Sequence, residues 1–154
     1  MATTATISIS SDIAPGFGGI SNTMTLTKAG TLNDIEETTG FSRRRLAATT
    51  RVDLIIMADA SLIQETADST AHKVYIRNIG DGKGNIDKST YVNIAIGDNQ
   101  AEQDGGGSAP QTIGRLYGGD WMLFPVTGVD GQDVTVAPET DNPVVLEYVM
   151  FYEV

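Results

Sequence analysis

Apolar residues along this chain recur mostly at every second position, the period of a strand with one buried face. In Thr3–Ser10, Ile7 and Ile9 alternate with small polar residues, which predicts a weakly anchored strand. Thr23–Thr27 sets Met24 and Leu26 on one face. Arg51–Met57 sets Val52, Leu54 and Ile56 on one face, with Ile55 and Met57 on the other. His72–Ile79 alternates Val74 and Ile76 against Tyr75 and Arg77, and Tyr91–Ile96 turns Val92, Ile94 and Ile96 inward. Gly80–Lys88 between them is rich in turn residues, so the two strands read as a long hairpin. Ile113–Val126 carries two apolar runs about Gly118-Gly119-Asp120, which reads as a tight hairpin because Gly supplies a positive φ and Asp bonds its own backbone. Trp121–Val126 is apolar on both faces and is predicted to lie deep between two layers. Pro125 has no N–H to donate and marks a bulge, an edge strand or a strand end. Asp133–Ala137 turns Val134 and Val136 inward. Val144–Tyr152 is long and apolar on both faces apart from Glu147, so it is predicted to sit centrally and pair with more than one neighbour.

About nine short strands spaced by Gly, Asn, Asp and Pro turns, with no helix longer than about two turns and no fixed-period repeat, predict an all-β domain. The expected architecture is a β-sandwich or jelly-roll-like fold with an extended N-terminal arm. Residues 1–50 form the arm and weak strands, and residues 51–154 form the sandwich core, with Trp121, Phe124, Leu146, Val149 and Phe151 at its centre. Within the arm, Ser11–Ser21 is an irregular loop around Phe17, a single aromatic anchor. Asn33–Glu37 has the pattern of a helical turn, with Asn33 or Asp34 as N-cap and acids in the first turn. Ala58–Ala71 reads as a short helix or a long loop, and Gly97–Pro110 as a polar loop with a flexible tip at Gly105–Ser108.

Charge and composition narrow the function classes. The chain has 154 residues, the length of one domain. Twenty Asp and Glu stand against ten Lys and Arg, a formal charge of −10. Such a chain repels nucleic acid and anionic membranes over most of its surface, so neither is expected as a partner. The charge serves solubility first, and it also favours a basic partner surface. There is no Cys and a single His, His72, which leaves no thiolate site, no multi-His metal centre and few acid–base designs. No apolar run approaches the ~18 residues of a membrane span. The N-terminus lacks the basic and apolar regions of a secretory signal, so a soluble protein made inside the cell is expected.

No catalytic constellation emerges. Asp81–Asp87 spaces oxygen donors like a calcium loop, but lacks the closing Glu and the flanking helices, and reads as a turn. Gly80–Gly84 has the wrong spacing for a phosphate loop. No nucleophile elbow occurs, and His72, at the start of a strand, reads as a partly exposed structural imidazole. Glu36 and Glu37 are adjacent and do not converge on a substrate. Tyr75, Tyr91, Tyr117, Tyr148 and Tyr152 fit packing against a sheet better than a sugar-binding groove. Neither enzymatic activity nor a cofactor is expected. Arg43-Arg44-Arg45 is the one basic knot in this acidic chain. Its side chains either pair with Asp34, Glu36 and Glu37 or contact an acidic partner; with Phe17 they are the candidate partner-contact residues.

The strand order of the second half carries a resemblance. Val74–Gly80 (V-Y-I-R-N-I-G), Tyr91–Asp98 (Y-V-N-I-A-I-G-D), Ile113–Pro125 (I-G-R-L-Y-G-G-D-W-M-L-F-P), Val134–Pro138 and Leu146–Glu153 (L-E-Y-V-M-F-Y-E) together resemble small virion structural proteins of tailed bacteriophages, of the capsid decoration or cement type. The resemblance implies a sandwich that oligomerises, as a dimer or trimer, on the outer capsid surface. Its partner would be the major capsid protein, with a terminal arm latching onto neighbouring subunits. The alternatives within the same reading are a tail-tube or head–tail joining subunit, or a receptor- or carbohydrate-binding module of the tail.

Overall fold

The computed structural model describes residues 3–9, 20–28, 30–33, 35, 37–47, 49–57, 71–86, 89–97, 110–128, 131–138 and 142–152. The strands are β1 (Thr4–Ile9), β2 (Ile20–Thr25), β3 (Glu37–Thr38), β4 (Ser42–Leu46), β5 (Val52–Ile55), β6 (Ala71–Asn78), β7 (Val92–Ile96), β8 (Gln111–Leu116), β9 (Trp121–Thr127), β10 (Val134–Pro138) and β11 (Val144–Tyr152). All described pairings are antiparallel. The expected all-β sandwich is what forms: one sheet has the order β3-β11-β6-β9 with β4 also on β11, and the other has β5-β10-β7-β8.

The β3 and β4 strands lie along the same edge of β11. β3 meets Phe151 and Tyr152, and β4 meets Val144 to Tyr148. Counted as one interrupted strand, they complete a nested set in which first pairs with last, β5 with β10, β6 with β9, and β7 with β8. That wrapping is the jelly-roll connectivity. Two strands from the first fifty residues therefore belong to the main sheet. The β1–β2 hairpin alone forms a separate two-stranded sheet.

Both expected hairpins are corrected. β6 and β7 lie in different sheets, as do β8 and β9. The turn at Gly118-Gly119 does form: Asp120 N–H donates to the Tyr117 carbonyl, and Tyr117 N–H donates to Asp120 Oδ2, each at 2.9 Å, with Gly119 at φ 97°. It carries the chain across the sandwich instead of back along the same sheet. Turn chemistry encodes a reversal, and which sheet receives the returning strand is set by where its apolar face can be buried.

The core between the sheets is made of alternating inward residues, including Val74, Ile76, Val92, Ile94, Val134, Val136, Leu146 and Met150. β11 is central as expected, paired with β3 and β4 on one side and β6 on the other. Trp121 is not in this core. It is 47% exposed, at the start of edge strand β9 and on the outer face of its sheet. Met122, Phe124 and Val126 are the inward residues of that strand. Phe124 packs against the core, whereas Val149, though nearly fully buried, lies on the outer face. Pro125 does stand on an edge strand, opposite Lys73. His72, expected to be partly exposed, is fully buried, because it is in register with inward-facing Val126.

A polar hub ties three connections to this core. Asn78 is fully buried at the end of β6. Its Nδ2 donates to the carbonyls of Thr90 (2.7 Å) and Leu116 (3.0 Å), and its Oδ1 accepts from Gly80 N–H (2.8 Å). The backbone of Asn78 also exchanges hydrogen bonds with Gly119 and Asp120. A buried amide is stable there because its groups are partnered.

Candidate binding face

Strand pairing sets adjacent rows of side chains across the outer face of the β11 sheet. One row runs Trp121–Arg77–Glu147–Arg43 over β9, β6, β11 and β4. The next runs Leu123–Tyr75–Val149. Phe41, just ahead of β4, packs edge-on against Tyr75 with ring centroids 6.2 Å apart, and Tyr75 meets Trp121 at 6.1 Å. Three rings thus line up over the sheet. Phe41 is 74% exposed.

The β1–β2 hairpin is set against this face. Leu26, which follows β2, is buried, and Lys73 Nζ donates to the Thr27 carbonyl at 2.9 Å. Leu26 also accepts a backbone hydrogen bond from the fully buried Ile35. Between β1 and the sheet an open groove of about 340 Å³ remains, lined by Thr3, Ile7, Leu26, Tyr75, Trp121 and Val149 among others. Trp121–Val126 is apolar on both faces because its outer face borders this groove, not because it lies between the two main sheets.

The basic cluster is split by the strand period. Arg43, on the outer face, places Nε at 2.7 Å and Nη2 at 2.5 Å from Glu147 Oε1. Arg44 points to the other side of β4 and donates from Nη1 to the Asp53 carbonyl of β5 at 2.6 Å, linking the two sheets at their edge. Arg45 lines a polar recess of about 670 Å³ with Asp81, Lys83, Asn85 and Asn142. The partner found for Arg43 is Glu147, 104 residues away in the chain. Phe17 lies outside the described residues, as do Asp34 and the segments 58–70 and 98–109; nothing is described of the Glu36 and Glu37 side chains. Of the expected helical turn at Asn33–Glu37, the described residues Asn33 and Ile35 are not helical, and Glu37 begins β3.

The loop after β6 is a self-closed turn. Asp81 Oδ1 accepts from Lys83 N–H (2.7 Å) and Asn85 N–H (3.1 Å), and Oδ2 accepts from Asn85 Nδ2 (2.7 Å). These donors, the Lys83 amide foremost, hold the Asp81 carboxyl below the usual carboxylate range. Over the other sheet, Tyr91 and Tyr117 lie 5.4 Å apart, and the Arg115 guanidinium sits 4.4 Å above the Tyr91 ring. Arg115 Nε also donates to Asn93 Oδ1 at 2.8 Å. Among the described residues no three His, Cys, Asp or Glu side chains gather as a metal would need. Among the described residues no helix is long and apolar enough to cross a membrane.

Phe41 was missed by sequence reasoning, since it stands outside any alternating run. Its one signal was an aromatic placed directly after Gly40 in a polar context. No family model and no curated protein matches this chain.

Proposed function

We propose that this chain is a non-enzymatic structural protein of a tailed-bacteriophage virion, which binds the outside of the capsid shell as a homo-oligomer and reinforces it. The observation that carries the reading is the jelly roll with a separate N-terminal hairpin laid on its outer face. Jelly rolls recur in viral shell proteins, where a rigid two-sheet body presents its faces to neighbours. A hairpin that shares no ladder with the body is suited to contacting the major capsid protein or an adjacent copy. On a lattice many weak contacts add through effective concentration, so no single strong site is required. The acidic surface fits a protein partner and disfavours nucleic acid and membrane. Arg45, at the rim of the polar recess, is the member of the basic cluster best placed for a capsid contact.

Electron cryo-microscopy of particles carrying the protein tests this directly. The expected density is a set of copies at regular positions on the head. A stacked ring in the tail, or density at the tail tip, would overturn the capsid assignment and replace it with the tail module.

A further inference from the structure

We infer that the aromatic groove on the outer face of the β11 sheet binds a saccharide, with a pyranose ring held against Trp121 and the row of rings beside it. The inference rests on this face alone and holds wherever in a particle the protein sits. Phe41, Tyr75 and Trp121 form a continuous row, and the two end rings are the ones left open to water. Exposed aromatic side chains clustered on one face mark a binding surface more than a packing need. A pyranose presents a flat face of C–H bonds to such rings and a rim of hydroxyls around it.

Partners for that rim stand in the row beside the groove and on its hairpin wall. The row beginning at Trp121 continues through Arg77, Glu147 and Arg43, two cations and a carboxylate. Thr3, Thr4 and Thr6 add hydroxyls from the hairpin wall. An acyl chain would desolvate these groups without hydrogen-bonding them. A peptide adding as a strand to the main sheet would need its β9 edge, which is interrupted by Pro125. The groove of about 340 Å³ suits a short saccharide and falls within the ~300–1,000 Å³ of ordinary ligand sites. An apolar floor with a few convergent polar groups is the usual build of such a site.

Trp121 is the chain's single tryptophan, so its emission reports on this groove alone. The full-length protein is applied to a glycan array and then titrated with maltotriose, chitotriose and trigalacturonic acid. The expected result is a saturable change in Trp121 emission with at least one trisaccharide. Calorimetry should show about tenfold or greater weakening in Trp121→Ala, Tyr75→Ala and Phe41→Ala, as for any central aromatic contact. Tyr117→Ala, on the other sheet, should bind like the parent. Preference for trigalacturonic acid that disappears in Arg77→Ala would identify a carboxylated sugar as the ligand, and equal binding a neutral one. The inference is overturned if no array glycan or trisaccharide alters the emission of the folded protein, or if binding survives Trp121→Ala. It is also overturned if Trp121→Ala lowers the mass in light scattering, since the face would then be a contact between copies.

Discussion

Asn78 shows how one side chain can hold several connections together. Three buried backbone groups, the carbonyls of Thr90 and Leu116 and the N–H of Gly80, take their hydrogen bonds from it. Truncation removes a hydrogen-bond partner from each. Asn78→Ala should therefore lower unfolding free energy by about 2–4 kcal/mol in urea denaturation, more than a surface Asn could. Asp81 acts locally and at the surface. Its carboxyl is lowered from its usual 3.8 by the donors it accepts from. A lowered carboxylate contributes stability that is fully present above its unfolded value and is lost as pH falls through the folded one. Protection of the Lys83 and Asn85 amides against exchange, taken relative to a free peptide at the same pH, should be present at neutral pH and fall as pH drops below the ordinary Asp range. Asp81→Ala, which has no acceptor to offer, should show little protection at either end.

At the level of strands, sheet edges are the parts most open to unwanted pairing. Each described edge of the two main sheets carries an interruption. β9 contains Pro125, and β8 shifts register between its pairings with Ile94 and Ala95, leaving Ile113 out of the ladder. β5 shifts register against β10 at Leu54, and the β3–β4 edge is broken around Gly40, which has φ 73°. Bulges and Pro turn an edge away from partners, so contacts are directed to the faces. Pro125→Val restores a ladder donor on β9. It should leave the far-ultraviolet dichroism unchanged and cause concentration-dependent growth of mass in light scattering. A variant that kept the parent's mass at every concentration would show that the edge is protected by something other than Pro125.

The whole molecule is a jelly roll with a hairpin on one outer face, and the two parts share no strand ladder. Removing residues 1–28 should leave the sandwich folded, because its core residues lie between the two main sheets. It also uncovers apolar side chains such as Val149 that the hairpin now helps to shield. The expected cost is about 1–3 kcal/mol, the burial energy of one or two apolar side chains, together with stronger binding of a hydrophobic dye. Loss of all cooperative unfolding in the truncated protein would mean that the hairpin is part of the folding unit.

Much of this was legible in the order of residues. Alternation at Val74 and Ile76, Val92 and Ile94, and Val134 and Val136 placed strands and their inward faces, because a pleated strand has a period of two whatever it pairs with. Pro125, lacking the N–H a central strand must donate, left a bulge, an edge or a strand end, and the edge is what forms. The length and apolarity of Val144–Tyr152 announced a central strand. Three things were decided only by the tertiary structure. The β6–β7 and β8–β9 connections cross between sheets, because a turn specifies a reversal and leaves the receiving sheet to global burial. Trp121 faces outward, because an apolar residue on a two-sided strand reads the same whether a second sheet or an N-terminal hairpin lies beyond it. Arg43 meets Glu147 across 104 residues, and Phe41 meets Tyr75, because such neighbours are made by strand register, which no local stretch of sequence contains.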